Sequence, residues 1–173
     1  MHGELDRSVI PATHAADDLA ETPSGGGGSP EQQFVTVMIA DQACGIPVLL
    51  VRDVLGSQRL TRIPLAPPEV AGSLNLRGRI VTAISLRRRL GLPPLPEPGE
   101  EMAVIVEYDR ELYALLVDHV SGVASVRTGT LEPNPPNLPR RWATISAGIC
   151  PQESGLLVVL DVSALLAKAG PGA

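Results

Sequence analysis

The chain has 173 residues, 44% of them hydrophobic but only 2% aromatic, with 17 Gly, 17 Pro and a formal net charge of −5. That composition fits one ordinary domain or two very small ones and excludes wholesale disorder. With only Phe34, Tyr108, Tyr113 and Trp142 as aromatics, it also argues against a base-stacking nucleic-acid platform, so the core has to be built from Val, Leu, Ile and Ala.

Residues 1–30 carry Glu4, Asp6, Asp17, Asp18 and Glu21 against Arg7, and end in Pro23-Ser-Gly-Gly-Gly-Gly-Ser-Pro30. This is the composition of a flexible linker, and the segment is expected to be a disordered acidic, Gly-rich tail. The acids interrupt any secretory leader pattern, and no apolar run approaches the roughly 18 residues that span a bilayer. The chain is therefore expected to be cytosolic. Charge is uneven further on, because residues 52–89 hold eight arginines against Asp53 and Glu69 while acids outnumber bases after residue 90. Segments of opposite sign favour oriented docking.

From Phe34 the texture becomes β-branched and apolar. Phe34–Ala40, a turn at Asp41-Gln42 and Ala43–Val48 predict a first hairpin. Leu60–Ile63 predicts a short strand closed by Pro64. Ser73–Arg77 and Arg79–Ile84 flank Gly78 as a second hairpin, after which Ser85 is a good N-cap for a short helix Leu86–Leu90. Beyond a proline-rich loop, Met102–Tyr108, the turn Asp109-Arg110 and Glu111–Val117 predict a third hairpin. Gly122–Arg127 reads as another strand. Trp142–Ile149 and Gly155–Leu160 are expected to pair across Pro151-Gln-Glu-Ser154, and Asp161 to cap a terminal helix reaching about Lys168. About ten short strands with frequent turn signals predict small antiparallel barrels, a mainly β fold.

Two internal echoes support a doubled design. Ile80-Val-Thr-Ala-Ile-Ser85-Leu-Arg-Arg-Arg-Leu90 matches Leu156-Leu-Val-Val-Leu-Asp161-Val-Ser-Ala-Leu-Leu166 in pattern, 76 positions on. The first hairpin resembles the third, Asp41 and Asp109 each opening a turn, with Val51-Arg-Asp-Val54 and Val117-Asp-His-Val120 following. Each half alone is too small for a strong core, so the two are expected to share one.

The inventory for catalysis is poor. His119 is the one histidine after the tail, Cys44 and Cys150 lack CxxC spacing and read as reduced buried thiols, and the Gly25–Gly28 run lacks the lysine of a phosphate loop. Neither an enzyme nor a metal or cofactor site is expected. Arg77, Arg79, Arg87, Arg88 and Arg89 raise a basic-patch nucleic-acid binder as an alternative, weakened by the near-neutral charge after the tail. A solvated face or protein-docking patch accounts better for them.

Residues 63–91 contain Pro64, Pro67, Gly72-Ser-Leu-Asn75-Leu-Arg77-Gly78 and Ser85-Leu86 through Gly91. This stretch resembles the signature of CheW-like chemotaxis coupling proteins. Gly45-Ile-Pro-Val-Leu-Leu-Val-Arg-Asp-Val54, Leu116-Val-Asp-His-Val120 and Leu157-Val-Val-Leu-Asp161-Val-Ser-Ala-Leu-Leu166 are similar to three further family segments, in order. Thr82 stands where the family usually has proline, and Ser85 where it has aspartate. The resemblance implies two intertwined five-stranded SH3-like β-barrels with short helices and a C-terminal helix, within residues 31–170. It implies an adaptor that links the cytoplasmic tips of membrane chemoreceptors to the regulatory domain of a histidine kinase, itself similar to the adaptor. Recruitment to membrane-associated arrays, and rings with other CheW-like proteins, would follow. A related adaptor serving a pilus-motility or developmental kinase is the alternative. By motif match, Val51, Asp53, Gly72, Asn75, Arg77 and Gly78 would bear on receptor and kinase contacts. Arg77 would offer a planar fork to a receptor, or close an internal ion pair with Asp53; Val51 would be a groove anchor or a core residue. Gly72 and Gly78 read most simply as backbone-conformation residues.

Overall fold

The computed structural model describes residues 30–97 and 99–167; the expected disordered tail, up to residue 29, and the predicted helix end at Lys168 lie outside the described residues. Ten strands form, β1 (Glu31–Ile39), β2 (Gln42–Pro47), β3 (Val51–Leu55), β4 (Val70–Leu76), β5 (Arg79–Ser85), β6 (Met102–Tyr108), β7 (Glu111–Val117), β8 (His119–Arg127), β9 (Ser146–Gln152) and β10 (Gly155–Leu160). Short helices α1 (Leu86–Arg89), α2 (Arg140–Ala143) and α3 (Val162–Leu166), and a 3-10 turn at Val48–Leu50, accompany them among the described residues. The fold is mainly β, in two five-stranded SH3-like sheets. The first runs β8-β1-β2-β10-β9 and the second β3-β6-β7-β5-β4.

The two orders are the same design written twice. In each, a hairpin (β1–β2, β6–β7) lies antiparallel, its second strand pairs in parallel with the strand before a capped helix, and a final antiparallel strand follows. The fifth strand is exchanged: β3 leaves the first hairpin for the second sheet, and β8 leaves the second hairpin for the first. The repeat is thus not two consecutive halves but an interlock. The 156–166 echo of 80–90 holds residue for residue, down to Ser85 and Asp161 as N-caps accepting from Arg88 N and Ala164 N. The other echo shifts. Val51 corresponds to Val120, not Val117, since Val51 opposes Val106 and Val120 opposes Val37 beside matching bulges.

Several local expectations change. The first hairpin turns at Ala40-Asp41, so Asp41 closes the turn rather than opening it, with Ala40 in the left-handed region at φ 53°. Leu60–Ile63 contributes one bridge, Thr61 to Ser73, instead of a strand. Trp142 lies in α2 and is buried, because Pro139 at φ −53° starts a helical turn there, and β9 begins only at Ser146.

Burial explains why the strands read as unbroken apolar runs. In β6, Val104 and Val106 face the largest cluster while Ala103 and Ile105 face a smaller one inside the second sheet, so both faces are covered. Among the described residues the large cluster has 22 buried members drawn from both sheets and all three helices, against seven in the second sheet's own cluster and five in the first's. Each fully buried Val, Leu or Ile contributes about 1.5–3 kcal/mol, so most of the apolar stabilisation lies where the sheets meet. Cys44 faces the large cluster and Cys150 the first sheet's own; both are free and buried, and burial pushes the Cys44 thiol up to about 12.

Each sheet closes through a single bridge from the loop after its exchanged strand. Thr61 exchanges both backbone bonds with Ser73 on β4 at 2.8 Å, and Glu132 does the same with Ile149 on β9 at 2.8 and 2.9 Å. Gly72 and Gly148 make this possible. Their φ values are 152° and 154°, and a Cβ there would stand 2.5 Å from the Thr61 carbonyl oxygen and 2.6 Å from that of Glu132. Only glycine fits such an approach.

Candidate docking site

The Gly72-Ser-Leu-Asn75-Leu-Arg77-Gly78 segment builds the tip of the β4–β5 hairpin. Leu76 opposes Arg79, leaving Arg77-Gly78 as a two-residue turn with φ 51° and 87°, both left-handed as a type I′ turn requires. Asn75 holds it, its Oδ1 accepting from the Gly78 N–H at 2.8 Å. Gly78 is there for its backbone, whereas Arg77 tolerates a conformation that costs an L-residue about 1 kcal/mol. The turn thrusts its guanidinium outward.

Asp53 comes from β3, the strand exchanged into this sheet. Its Oδ1 accepts from the Val54 N–H at 2.9 Å, and its Oδ2 receives Arg77 Nη2 at 3.4 Å. The internal ion pair therefore exists but is a single long contact. The Arg77 side chain remains 85% exposed and that of Asp53 31%. Such a pair contributes about 0–1 kcal/mol and leaves most donors of the guanidinium free for another acceptor. Val51 is half-buried and packs against the large core, so it supports the surface from beneath. Of the six residues, Asp53 and Arg77 touch, Asn75 and Gly78 shape the turn, Gly72 closes the sheet, and Val51 is packing.

Beside this hairpin runs a groove of about 550 Å³ between the 63–67 loop, β5 and the β6–β7 turn. Leu65, at φ 60°, and Ile80 stand in it exposed, flanked by Arg79 and Arg110. Neither apolar residue stood out from the motif, although alternation along β5, with Val81 and Ala83 inside, implies an outward Ile80. Tyr113 lines the groove and donates to Glu111 Oε2 at 3.0 Å; burial, then that carboxylate, raise its pKa. Thr82 sits in β5 opposite Ser73 and Tyr113, an interior strand position in register with both neighbours. Ser85 caps α1, its side chain accepting from the Arg88 N–H, and is itself buried.

The arginine run divides. Arg87 does not lie on a solvated face, one of the two readings of the run. Its Nε and Nη2 donate to the two oxygens of Asp118, each at 2.7 Å, with side chains only 13% and 11% exposed. Burial of a charge demands such a partner, and its removal from the surface weakens a basic nucleic-acid patch. Among the described residues no three His, Cys, Asp or Glu side chains gather as a metal site, and no helix is long and apolar enough to cross a membrane.

Comparison with known proteins agrees with this geometry. The CheW-like domain family model matches residues 33–170. A probable chemotaxis protein CheW of Rhizobium etli is 26% identical over 141 residues, covering 80% of this chain and 89% of that protein. The chemotaxis protein CheW of Bacillus subtilis is 28% identical over 137 residues, covering 79% and 88%. The crystal structure of the scaffolding protein TtCheW from Thermoanaerobacter tengcongensis superposes with a TM-score of 0.71 at 24% identity, over 79% of this chain and 93% of that one, a likeness of fold. With the motif hairpin, the exchanged strands and the family match in agreement, the chain belongs to the CheW-like domain family.

Proposed function

We propose that the protein is a non-enzymatic chemotaxis adaptor of the cytoplasm, holding membrane chemoreceptors and the regulatory domain of a histidine kinase in one array, with the β3 and β4–β5 surface as a contact. The observation that carries this is Arg77. A turn built by Asn75 and Gly78 holds a non-glycine residue in the left-handed region so that its guanidinium stands almost wholly in solvent, restrained by one long contact to Asp53. The turn fixes the direction in which this charged group projects, and an exposed guanidinium with free donors suits a carboxylate or carbonyl of a partner. The family relatives are named chemotaxis proteins and the structural neighbour a scaffolding protein, which supports the same reading.

The internal repeat adds support for docking on a related barrel. Val54 and Ile80 of the second sheet have counterparts in Val123 and Leu156 of the first, all four exposed, while Arg77 is replaced by exposed Glu153. Similar apolar surfaces with opposite charge at the hairpin tip suit a head-to-tail contact with another CheW-like barrel, whether in the kinase or in a second adaptor. The test is Arg77→Glu in pull-downs with the cognate kinase regulatory domain and a receptor tip. Binding to at least one partner is expected to fall by on the order of tenfold or more, as for a charged hot spot, with native-like circular dichroism. Wild-type binding to both would sink the assignment.

A further inference from the structure

The chain passes between the sheets at two crossovers, Val48–Leu50 from β2 to β3 and Asp118 from β7 to β8. The repeat makes them counterparts, Leu49 standing where Asp118 stands. They are built in opposite ways.

At Asp118 one carboxylate gathers three segments. Its oxygens take the Arg87 fork at 2.7 Å twice, and Oδ2 also accepts the N–H of Ala40 at 2.8 Å from the β1–β2 turn. The Asp118 N–H donates to the Met38 carbonyl at 3.0 Å. The last Arg87 arm, Nη1, donates to the Pro93 carbonyl at 2.7 Å, tying in the proline-rich loop. The first sheet's hairpin tip is thereby bracketed to the second sheet's helix α1. At the other crossover Leu49 is 81% exposed, its carbonyl accepts from Arg52 Nη1 at 2.9 Å on the second sheet's side only, and Ser163, the counterpart of Arg87, bonds Asp161 within its own helix. Of the three ion pairs among the described residues, Arg52–Glu107 and Arg77–Asp53 each lie within the second sheet; only Arg87–Asp118 joins the two.

The cluster between the sheets is almost wholly aliphatic, and hydrophobic contact is non-directional. Close packing there and the exchanged strands already limit how the barrels sit. A planar guanidinium–carboxylate fork adds a directional restraint, because its two bonds favour one relative orientation. We propose that the Arg87–Asp118–Ala40 bracket sets the angle between the two barrels. Arg87 is on this account a positioning residue. Its role is to fix how the Arg77 surface stands relative to the first barrel.

Spin labels on the full chain test this without any binding partner. Ser125→Cys on β8 and Arg79→Cys on β5 are exposed, while Cys44 and Cys150 are buried and escape labelling. The otherwise unaltered chain is expected to give one narrow distance distribution. Arg87→Met broadens or shifts it while unfolding stays cooperative and the near-ultraviolet signal of Trp142 persists; Leu49→Ala leaves it unchanged. Arg87→Lys keeps the charge but loses the fork, and is expected to broaden the distribution as well, carrying the test should Arg87→Met not fold. A distribution in the folded variants that superimposes on the unaltered one overturns the proposal.

Discussion

The β4–β5–α1 unit and the β9–β10–α3 unit share a plan but differ in chemistry. Each has a bulge directly before a glycine pressed against a bridging carbonyl, a hairpin, and a helix whose N-cap accepts from the third residue on. Yet the first displays Arg77 at its tip and buries Arg87 beside its helix, while the second has Glu153 and Ser163 at those places. What the two units keep is what closes a sheet and starts a helix. What they do not keep is charge, at the outer surface and at the junction.

The largest expected effect breaks the junction on one side only. Asp118→Ala leaves the Arg87 guanidinium buried without its carboxylate and is expected to cost about 3–5 kcal/mol, whereas the counterpart Leu49→Ala, at an exposed site, should stay within about 0.5 kcal/mol. Denaturant midpoints measure both, and equal losses would mean that the crossovers are equivalent after all. Next come the shared glycines. Gly72→Ala and Gly148→Ala each drive a Cβ into a backbone carbonyl and should each cost about 2–4 kcal/mol. A loss at one and not the other would show that a single bridge closes the structure. Smallest are the caps: Ser85→Ala and Asp161→Ala should each lower stability by about 1 kcal/mol. A larger loss at Ser85 would reflect its burial, since a buried hydroxyl site also loses packing.

Much of the architecture was legible because local chemistry forced it. Met102–Tyr108, Asp109-Arg110 and Glu111–Val117 form as their apolar runs and turn residues predict, and Ser85 and Asp161 cap as expected. Val51–Leu55 escaped as a strand because its charged Arg52 and Asp53 belong to a half-exposed edge, where alternation is short and weak. Trp142 was misplaced because an aromatic followed by Ala and Thr reads as strand, while the helical turn is set by Pro139 before it. In the candidate docking site, Gly72, Asn75, Arg77 and Gly78 of the motif fall on one hairpin. The motif did not separate the exposed Arg77 from the structural Gly72, Asn75 and Gly78, because that division depends on which atoms meet across the turn and across β3.

The opening composition, aliphatic and nearly without aromatics, already required small side chains packed on both faces of short strands, and the sequence by itself determined the doubled hairpin–helix plan. Only the tertiary structure decided that the repeats trade a strand, since register across a long crossover is set by which faces can be buried together and by no local signal. It alone decided the fate of the arginines. Whether a guanidinium is a solvated surface group or a buried strut depends on the carboxylate brought to it from another part of the chain, as Asp118 is brought to Arg87 and, more loosely, Asp53 to Arg77.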